Sequence, residues 1–348
     1  MKLNTLLIIF ISSLFFSCST PRTLDELLID FEKENKAMGT ISIFKDDKEV
    51  FNKSFGLANL EKNKKANDET KYWIGSITKT YTAAVILNLV DEKKLSYDTK
   101  LNDFFPDIKN SENITITQLL KHRSGLYNIT KSPNFESWIA EPRSRLEMIS
   151  KLNEFESEFN PGEKTSYSNS NFIVLSYIAE IIEKKPFKEI LNERIFTKLN
   201  LKRTAFADTL NITKNEAMDY FPENGKWSPI TYQTNLLGTM GAGGIISTAK
   251  EINIFYNALF SGKLLSKEAL KEMTTPINEL GMGLGISEYE GLKTYGHDGR
   301  IDGFRSIAMY APEKNFSIVL TFNASKVSMK ESLIRVFEAY KHTYETAF

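Results

Sequence analysis

The chain has 348 residues, of which 41% are hydrophobic and 25% are charged, which is the balance of an ordinary globular protein. Lys and Arg together number 44, and so do Asp and Glu, so the chain has no global field that attracts a polyanion. Nucleic acid is therefore excluded as a partner. With one cysteine, Cys18, the chain forms no intramolecular disulfide, and its core alone must stabilise it.

The first residues have the three-part layout of a secretory signal. Lys2 precedes an apolar run at about 6–16, and small polar residues follow. The run is shorter than the roughly 20 apolar residues that span a bilayer, so it predicts export.

Cys18 lies just after the apolar run, at a position that resembles the lipidation cysteine of bacterial lipoproteins. Residues 1–18 are therefore interpreted as a signal peptide with a lipobox. The alternative is ordinary cleavage near Ser17 or Ser19. The lipobox interpretation predicts a lipoprotein anchored to the membrane of the bacterial cell envelope, on the periplasmic or outer membrane side.

Helix and strand patterns alternate in the first hundred residues. Apolar residues at helical spacing predict a helix from residue 23 to about 36. Segments 39–44 and 50–57 have the pattern of two strands joined by a polar turn. A strongly helical stretch then begins after Ser76 and runs over 77–91.

From about 102 to 237 the pattern changes to helices separated by irregular polar segments, and it indicates no strand ladder. The predicted helices there are 117–121, 145–155, 170–183 and 187–199. Strands return after residue 281, and an amphipathic helix closes the chain. These last predicted elements are strands 295–298, 304–310 and 316–322 and helix 329–344.

This order of elements predicts an α+β fold, with an antiparallel sheet flanked by helices and built from both chain ends. We expect one domain over 19–348, with an α/β body at about 23–101 and 238–348. A mostly helical lobe is inserted at about 102–237. The expected site lies in the crevice between body and lobe, and the expected state is a monomer.

Three Ser-x-x-Lys pairs occur in the chain, and two of them have a structural explanation. Ser42 and Lys45 lie on a predicted strand, where residues an odd number apart point to opposite faces. The pair that begins at Ser247 opens a helix in which Thr248 and Glu251 have the spacing of a capping box. Neither pair predicts chemistry.

The third pair, Ser76 and Lys79, lies at a helix start, where residues three apart have Cβ atoms about 5–6 Å from each other. Free N–H groups and the helix dipole there favour a developing oxyanion. Lys79 needs burial or cationic neighbours to lower its pKa from about 10.4. The pair alone leaves open a second interpretation, in which Ser76 is a helix cap and Lys79 a solvated side chain.

Five short segments carry a pattern that extends over most of the chain. In order they are Ser76-Ile77-Thr78-Lys79, Leu119-Leu120-Lys121-His122-Arg123-Ser124-Gly125-Leu126, Tyr167-Ser168-Asn169, Gly241-Ala242-Gly243-Gly244-Ile245-Ile246-Ser247-Thr248 and His297-Asp298-Gly299. They resemble motifs of the serine β-lactamase-like superfamily, specifically its class C β-lactamase, D-alanyl-D-alanine carboxypeptidase and esterase branch. The resemblance implies a β-lactamase/transpeptidase-like catalytic domain.

The resemblance also implies catalytic roles. Ser76 would be the nucleophile that forms an acyl-enzyme, which water then hydrolyses. Lys79 and Tyr167 would share the role of general base, with Lys79 keeping the phenol near its phenolate form. Asn169 would hydrogen-bond Lys79 or the substrate amide. No cofactor is implied.

The last motif would complete the site. Backbone N–H groups of Ser76 and Arg300 would form the oxyanion hole, and Gly299 would let the strand approach the substrate closely. His297 stands where the lactamases carry lysine, so it would support Tyr167 more weakly and in a pH-dependent way.

Asp298 departs from the family pattern, which usually has Thr or Ser at this position in members that bind a substrate carboxylate. An aspartate repels that carboxylate unless Arg300 or Arg305 offsets it. We therefore expect a small ester, amide or peptide as the substrate. A D-alanyl-D-alanine carboxypeptidase or a β-lactamase is the alternative.

Other classes of function fit less well. A Ser-His-Asp triad from His297 and Asp298 fails because adjacent strand residues face opposite ways. Three histidines without an H-E-x-x-H motif argue against a catalytic metal. A non-catalytic, lipid-anchored receptor is a rival, although it has no physical reason to retain Ser76, Lys79 and Tyr167 together.

Two further sets of residues have weaker signals. His122 is expected to brace the loop near Gly125 rather than act in chemistry. Aromatic residues of the helical middle are candidates for the substrate pocket, namely Tyr127, Trp138, Phe221 and Tyr232.

Overall fold

The computed structural model describes residues 23–33, 35–207 and 209–344. The predicted signal peptide and lipobox at 1–18, with Cys18, lie outside the described residues. Within these ranges, every helix falls short of the length and apolar character that a membrane span requires.

Helices and strands follow one another through the described ranges. The helices are α1 (Leu24–Lys33), α2 (Thr78–Asp91), α3 (Ile116–Leu120), α4 (Phe135–Ile139), α5 (Arg145–Asn153), α6 (Asn169–Glu183), α7 (Phe187–Leu191), α8 (Leu236–Thr239), α9 (Ala249–Phe260), α10 (Lys267–Thr274) and α11 (Met329–Thr343). The strands are β1 (Ala37–Lys45), β2 (Lys48–Phe55), β3 (Leu57–Asn59), β4 (Lys64–Lys65), β5 (Tyr72–Trp73), β6 (Ala205–Phe206), β7 (Tyr220–Glu223), β8 (Lys226–Pro229), β9 (Ile245–Ser247), β10 (Gly285–Tyr289), β11 (Leu292–Ile301), β12 (Phe304–Ala311) and β13 (Phe316–Ser325).

The central sheet is antiparallel and has the strand order β10-β11-β12-β13-β1-β2. β1 pairs with β13, with Ile41 opposite Leu320, so the two ends of the chain meet in the middle of the sheet. This pairing and the flanking helices confirm the predicted α+β class with an antiparallel sheet built from both chain ends.

Helices cover both faces of the sheet. On one face α1 and α11 bury an aromatic cluster in which Phe31 stacks on Phe55 and Phe322 meets both rings edge-on, at centroid distances of 5.4 to 5.9 Å. On the other face α9 contacts the sheet, and its Asn253 donates to the carbonyl and the hydroxyl of Ser42. The sheet is thereby fixed between two layers of helices.

Helix α2 lies in the interior, because its sequence is apolar or small on every side rather than on one stripe. Its buried residues run from Thr78 to Leu87 without a break. A helix buried all round forces its one lysine, Lys79, into the interior as well.

Strand β11 presents half of its length as an open edge. β10 pairs only with residues 292–296 of β11, from Leu292 to Gly296. Residues 297–301 therefore have no strand on that side among the described residues, and this open segment borders the site.

The helical middle contains strands that the sequence pattern did not indicate. β7 and β8 form a hairpin with Phe221 opposite Ser228. Its turn is Asn224-Gly225, and both residues have positive φ, of 47° and 78°. An Asn-Gly turn is the strongest short hairpin signal. The prediction of no strand ladder in this region was therefore wrong, because it overlooked this signal in the sequence.

Candidate active site

Ser76 lies in a 3-10 turn, Gly75–Ile77, that runs directly into α2. The residues at the two N-cap positions, Ile74 and Ile77, make no side-chain cap. Ser76 is therefore not a helix cap, and its hydroxyl contacts Lys79 and Tyr167 instead.

Lys79 is fully buried and has three hydrogen-bond acceptors. Its Nζ lies 2.9 Å from Ser76 Oγ, 2.7 Å from Asn169 Oδ1 and 2.8 Å from the carbonyl oxygen of Ala242. Burial lowers the pKa of Lys79 well below its usual value, and the negative charge of Asp298 offsets this only in part. A solvated Lys79 is excluded.

Tyr167 donates its hydroxyl proton to Ser76 Oγ over 2.8 Å. The residue is 37% exposed, and desolvation nevertheless raises the pKa of its phenol well above 10. Lys79 Nζ lies 5.0 Å from the centroid of the Tyr167 ring.

The structure therefore disagrees with the expectation that Lys79 holds Tyr167 near its phenolate form. Lys79 contacts the ring of Tyr167 and gives its hydrogen bonds to other acceptors. In this geometry burial raises the pKa of the Tyr167 phenol and lowers that of Lys79, which favours the protonated phenol and the neutral amine.

Asn169, the first residue of α6, is held in place by hydrogen bonds from its backbone N–H and its side-chain Nδ2. Asn128 Oδ1 accepts from the backbone N–H of Asn169 at 3.1 Å and from its side-chain Nδ2 at 3.3 Å. Thr130 Oγ1 accepts from the same Nδ2 at 3.1 Å. These contacts orient Oδ1 of Asn169 towards Lys79. Sequence reasoning missed Asn128 and the carbonyl of Ala242, because neither belongs to a side-chain motif.

Two glycines let β11 pack against the turn that carries Ser76. A Cβ on Gly299 would lie 2.0 Å from the carbonyl oxygen of Ile74, and one on Gly75 would lie 2.8 Å from the backbone nitrogen of Arg300. Gly299 thus permits close approach to the turn, not to the substrate as expected. Ser76 and Arg300 border the same cavity, where their backbone N–H groups are the predicted oxyanion donors.

His297 makes no hydrogen bond to Tyr167, and the two ring centroids are 6.2 Å apart. Its Nδ1 lies 2.5 Å from the carbonyl oxygen of Asp298 and 4.0 Å from the carboxylate of that residue. Burial and the nearby Lys79 lower the pKa of His297 to about 4. The lowered pKa favours the neutral imidazole near pH 7, and the support of Tyr167 by His297 stays a prediction.

His122 is the second histidine near the ring of Tyr167. The histidine is buried, its Nδ1 accepts from the backbone N–H of Ser168 at 3.2 Å, and it lies 3.2 Å from Nδ2 of Asn171. Its ring packs on the ring of Tyr167 with centroids 4.5 Å apart. The residue thus holds Tyr167, and it is linked to the loop before Gly125 through Asn171, whose Oδ1 accepts from the hydroxyl of Ser124 at 2.6 Å.

A cavity of about 440 Å³ opens beside Ser76. Phe221 and Tyr232 line it, but the other two aromatic candidates do not: Tyr127 stacks on Phe155, and Trp138 packs against the guanidinium of Arg143. The lining residues are Gly75, Ser76, Thr130, Phe135, Glu136, Ile139, Asn169, Ile173, Phe221, Tyr232, Thr234, Thr239, Ala242, Gly243, Arg300, Ile301 and Asp302. The charged residues Glu136, in α4, and Asp302, between β11 and β12, were missed, because residues this far apart in sequence carry no common pattern.

A metal ion has no evident binding site in the part of the chain that the structure describes, since no three His, Cys, Asp or Glu side chains are grouped there.

Ser76 is hydrogen-bonded to a buried lysine and to a tyrosine, and this group lies beside an open strand edge. Such an arrangement defines a serine hydrolase of the Ser-x-x-Lys type. The chain belongs to the Beta-lactamase family, whose model matches residues 24–341. This finding confirms the resemblance deduced from the five motifs.

Curated relatives agree with the family. The chain is 28% identical over 308 residues to Protein flp of Staphylococcus aureus (strain N315), with 84% of this chain and 61% of that protein covered. It thus spans less than two thirds of that relative. It is 27% identical over 304 residues to the putative penicillin-binding protein PbpX of Bacillus subtilis (strain 168), with 86% and 74% covered.

Solved structures share the fold. A D-amino acid amidase from Ochrobactrum anthropi SV3, complexed with L-phenylalanine amide, superposes with a TM-score of 0.81 at 25% identity over 91% of this chain and 97% of that one. A penicillin binding protein from Bacillus halodurans gives 0.78 at 24% identity over 92% and 99%. An octameric penicillin-binding protein homologue from Pyrococcus abyssi gives 0.77 at 24% identity over 92% and 76%.

Proposed function

We propose that this protein hydrolyses a small ester, amide or peptide through an acyl-enzyme on Ser76. The observation that carries the proposal is the position of Ser76 Oγ, 2.9 Å from Lys79 Nζ and 2.8 Å from the Tyr167 hydroxyl. Groups within this distance of a nucleophile can take and return its proton.

Lys79 is the proposed general base. A neutral amine has one lone pair, and the lowered pKa of Lys79 makes its neutral form accessible. In that form Nζ donates to Asn169 and Ala242 and accepts the proton of Ser76, while Tyr167 donates to Ser76 Oγ. Each proton in this network has one acceptor.

The proposed reaction has two steps, acylation of Ser76 and hydrolysis of the acyl-enzyme. Ser76 Oγ bonds to the substrate carbonyl carbon as its proton passes to Lys79, and the backbone N–H groups of Ser76 and Arg300 stabilise the oxyanion. The bond to the leaving group then breaks as Tyr167 donates its proton to that group. In the second step water adds to the acyl carbon and gives a proton to the Tyr167 oxygen, and the bond to Ser76 Oγ breaks as Lys79 returns its proton to that oxygen, which releases the carboxylic acid and restores all three groups.

A fluorophosphonate probe with intact-mass detection tests this proposal. We expect one label per chain in the wild type and none in Ser76→Ala. Ser42→Ala and Ser247→Ala are matched controls, because they remove the serines of the other two Ser-x-x-Lys pairs, and both should still be labelled. A protein that binds substrates but is never acylated would be the non-catalytic receptor instead.

An amide or ester is favoured over a β-lactam or a D-alanyl-D-alanine peptide. The side chain of Asp298 is 80% exposed beside the site, where its charge opposes a substrate carboxylate. The structural similarity to a D-amino acid amidase and to a D-stereospecific amidohydrolase from Streptomyces sp., each 25% identical, supports an amide.

A substrate panel distinguishes these classes. It combines p-nitrophenyl esters, amino-acid amides, a chromogenic cephalosporin and a D-alanyl-D-alanine peptide, each tested with wild type and Tyr167→Phe. We expect the highest kcat/KM on an ester or amide. Faster turnover of the cephalosporin or of the D-alanyl-D-alanine peptide would support the alternative.

We further propose that the protein is an envelope lipoprotein anchored through Cys18. The support is the basic, apolar and small-residue pattern of residues 1–18. Growth with labelled palmitate should label the wild type but not Cys18→Ser, and the variant should leave the membrane fraction. A wild type without label would favour ordinary cleavage near Ser17 or Ser19.

A further inference from the structure

The turn between β11 and β12 consists of Asp302 and Gly303, and it begins two residues after Arg300. Asp302 has a φ of 46°, in the left-handed region that favours glycine, whereas Gly303 beside it does not adopt a positive φ. A glycine at position 302 would therefore fit this backbone with less strain. The aspartate has to be explained by the contacts of its side chain.

The carboxylate of Asp302 joins this turn to the loop before α8. Thr234 in that loop donates to Oδ2 of Asp302 from its backbone N–H at 2.9 Å and to Oδ1 from its hydroxyl at 2.7 Å. Both carboxylate oxygens are used, so the contact restrains the orientation of the two segments as well as their distance. Among the described residues, these are the two hydrogen bonds that link the turn to this loop.

The other polar contacts of the turn go to different elements. The backbone N–H of Gly303 donates to Oδ2 of Asp219, just before β7, at 2.7 Å. Nη1 of Arg305, in β12, donates to the carbonyl oxygens of Asp302 and Phe304 at 2.8 and 2.7 Å. These contacts hold the turn to β7 and β12, and neither reaches α8. The connection to α8 therefore depends on the Asp302 carboxylate.

Each of the two joined segments carries a backbone group of the active site. β11 carries the N–H of Arg300, the predicted oxyanion donor. The loop continues through α8 to Ala242, whose carbonyl oxygen accepts from Lys79 Nζ at 2.8 Å. Thr234 and Asp302 line the same cavity. The position of one backbone group relative to the other therefore depends in part on the contact between these two side chains.

From this geometry we infer that Asp302 and Thr234 are positioning residues for the acylation of Ser76. Their contact holds the N–H of Arg300 where the oxyanion forms, and it holds the carbonyl acceptor of Lys79 beside the nucleophile. The inference rests on the proposed function, because it requires a reaction at Ser76. Donors that are fixed in advance stabilise an oxyanion most strongly, and small misplacements of such donors are costly.

A pair of esters tests the inference, namely p-nitrophenyl acetate and its thiono analogue, in which sulfur replaces the carbonyl oxygen. Thr234→Val removes the hydroxyl but keeps the shape, and Asp302→Gly removes the carboxylate but fits the backbone φ. We expect each variant to lower kcat/KM for p-nitrophenyl acetate at least about tenfold. Each should also lower the ratio of oxo to thiono kcat/KM at least about threefold, because sulfur is the weaker hydrogen-bond acceptor and the ratio reports the oxyanion donors.

Conservative variants separate positioning from a general structural role. Thr234→Ser keeps the hydroxyl, and Asp302→Asn can accept from the Thr234 N–H and donate to its hydroxyl oxygen, so both should recover most of the lost rate. Thr99→Val is the matched control. Thr99 is half-buried like Thr234, its hydroxyl oxygen is hydrogen-bonded to the N–H and the hydroxyl of Ser96, and it does not line the cavity. This variant should leave the ratio unchanged.

The double variant Asp302→Gly/Thr234→Val should be no slower than Asp302→Gly alone, because the two residues act through one contact. Urea unfolding shows which variants are folded in the assay, and if Asp302→Gly is not, the comparison of Thr234→Val with Thr234→Ser decides. Additive losses, or wild-type ratios in the single variants, would overturn the inference while Ser76 is still labelled by the fluorophosphonate. A wild type that neither hydrolyses p-nitrophenyl acetate nor reacts at Ser76 would instead refute the proposed function, and the inference with it.

Discussion

Ser76, Lys79 and Tyr167 act as one unit because the Ser76 oxygen is bonded to both partners. Helical spacing made the Ser76 and Lys79 contact predictable from sequence. The protonation states were not predictable, because they depend on burial. Burial moves the pKa of Lys79 down and that of Tyr167 up.

The pH dependence of catalysis follows from Lys79. Its ammonium cannot accept a proton, so kcat/KM should rise with pH through the pKa of Lys79 and then level off. In Tyr167→Phe we expect the same acid limb with a plateau lower by about 10²-fold or more, the usual contribution of one acid–base group. Loss of the acid limb in Tyr167→Phe would assign the titrating base to the phenol.

His122 is expected to position Tyr167 rather than touch the substrate. Its Nδ1 bond to Ser168 and its packing on the Tyr167 ring fix the phenol above Ser76. His122→Ala should lower kcat about 10- to 100-fold with little change in KM, because small misplacements of catalytic groups are costly.

His122→Asn separates the two contacts of this residue. Asparagine tolerates the backbone φ of 54° at this position and can accept the Ser168 N–H, but it lacks a ring to pack on Tyr167. Partial recovery of kcat relative to alanine would assign the remainder to ring packing. An alanine variant with wild-type kcat would contradict the positioning role.

At the level of elements, the site depends on the close approach of β11 to the turn that precedes α2. The glycine-containing motif at 297–299 was visible in the sequence, but its partner was not. Only the fold reveals that Gly299 faces the carbonyl of Ile74. The hairpin β7–β8 is the opposite case, since its Asn-Gly turn was present in the sequence but was not interpreted as a hairpin signal.

Gly299→Ala should therefore damage both stability and activity. Its methyl group would overlap the Ile74 carbonyl and Ser306 Oγ, which lie 2.0 and 2.3 Å from the Cβ position. We expect a loss of about 1–3 kcal/mol in the free energy of unfolding by urea titration, typical of overpacking, together with slower labelling of Ser76.

Gly285→Ala on the neighbouring strand β10 is the matched control. Its Cβ would meet only the Gly296 carbonyl oxygen at an ordinary 3.7 Å. This variant should change stability and labelling little. Equal effects of the two substitutions would show that the contact with Ile74 has no special importance.

For the whole molecule, an antiparallel sheet built from both chain ends could be deduced from the strand-rich ends, whereas the strand order and the burial of α2 could not. Interactions between distant loops could not be deduced either. Asp219, for example, lies just before β7, is buried and accepts the backbone N–H of Gly303 at 2.7 Å. Burial raises its pKa to about 7.

Because the pKa of Asp219 is raised in the folded state, its contribution to the free energy of unfolding depends on pH. Between about pH 3.8 and 7 the folded state keeps a proton that the unfolded state releases, so this residue makes the protein less stable as pH rises through that window. Asp219→Asn removes the charge and keeps an acceptor for Gly303. It should stabilise the protein at pH 8 by on the order of 1–3 kcal/mol and have a much smaller effect near pH 4.

Thermal or urea unfolding at the two pH values measures this effect. Asp103→Asn is the control, because Asp103 is exposed. An Asp219→Asn variant that is less stable than the wild type at pH 8 would contradict a buried, destabilising charge.

Assembly is also a property of the whole molecule, and the expected state is a monomer. The penicillin-binding protein homologue from Pyrococcus abyssi, by contrast, is octameric. Light scattering on the mature chain without its lipid should give the mass of one chain, and a higher mass that persists on dilution would overturn the expectation.

The central claim is that a substrate acyl group is transferred to Ser76. Rapid acid quench of the wild type with a p-nitrophenyl ester, followed by peptide mass mapping, measures this transfer most directly. We expect up to one acyl group per chain, on the peptide that contains Ser76, in a burst equal to the released p-nitrophenol. An acyl group on any other residue, or undiminished steady hydrolysis by Ser76→Ala, would contradict the account.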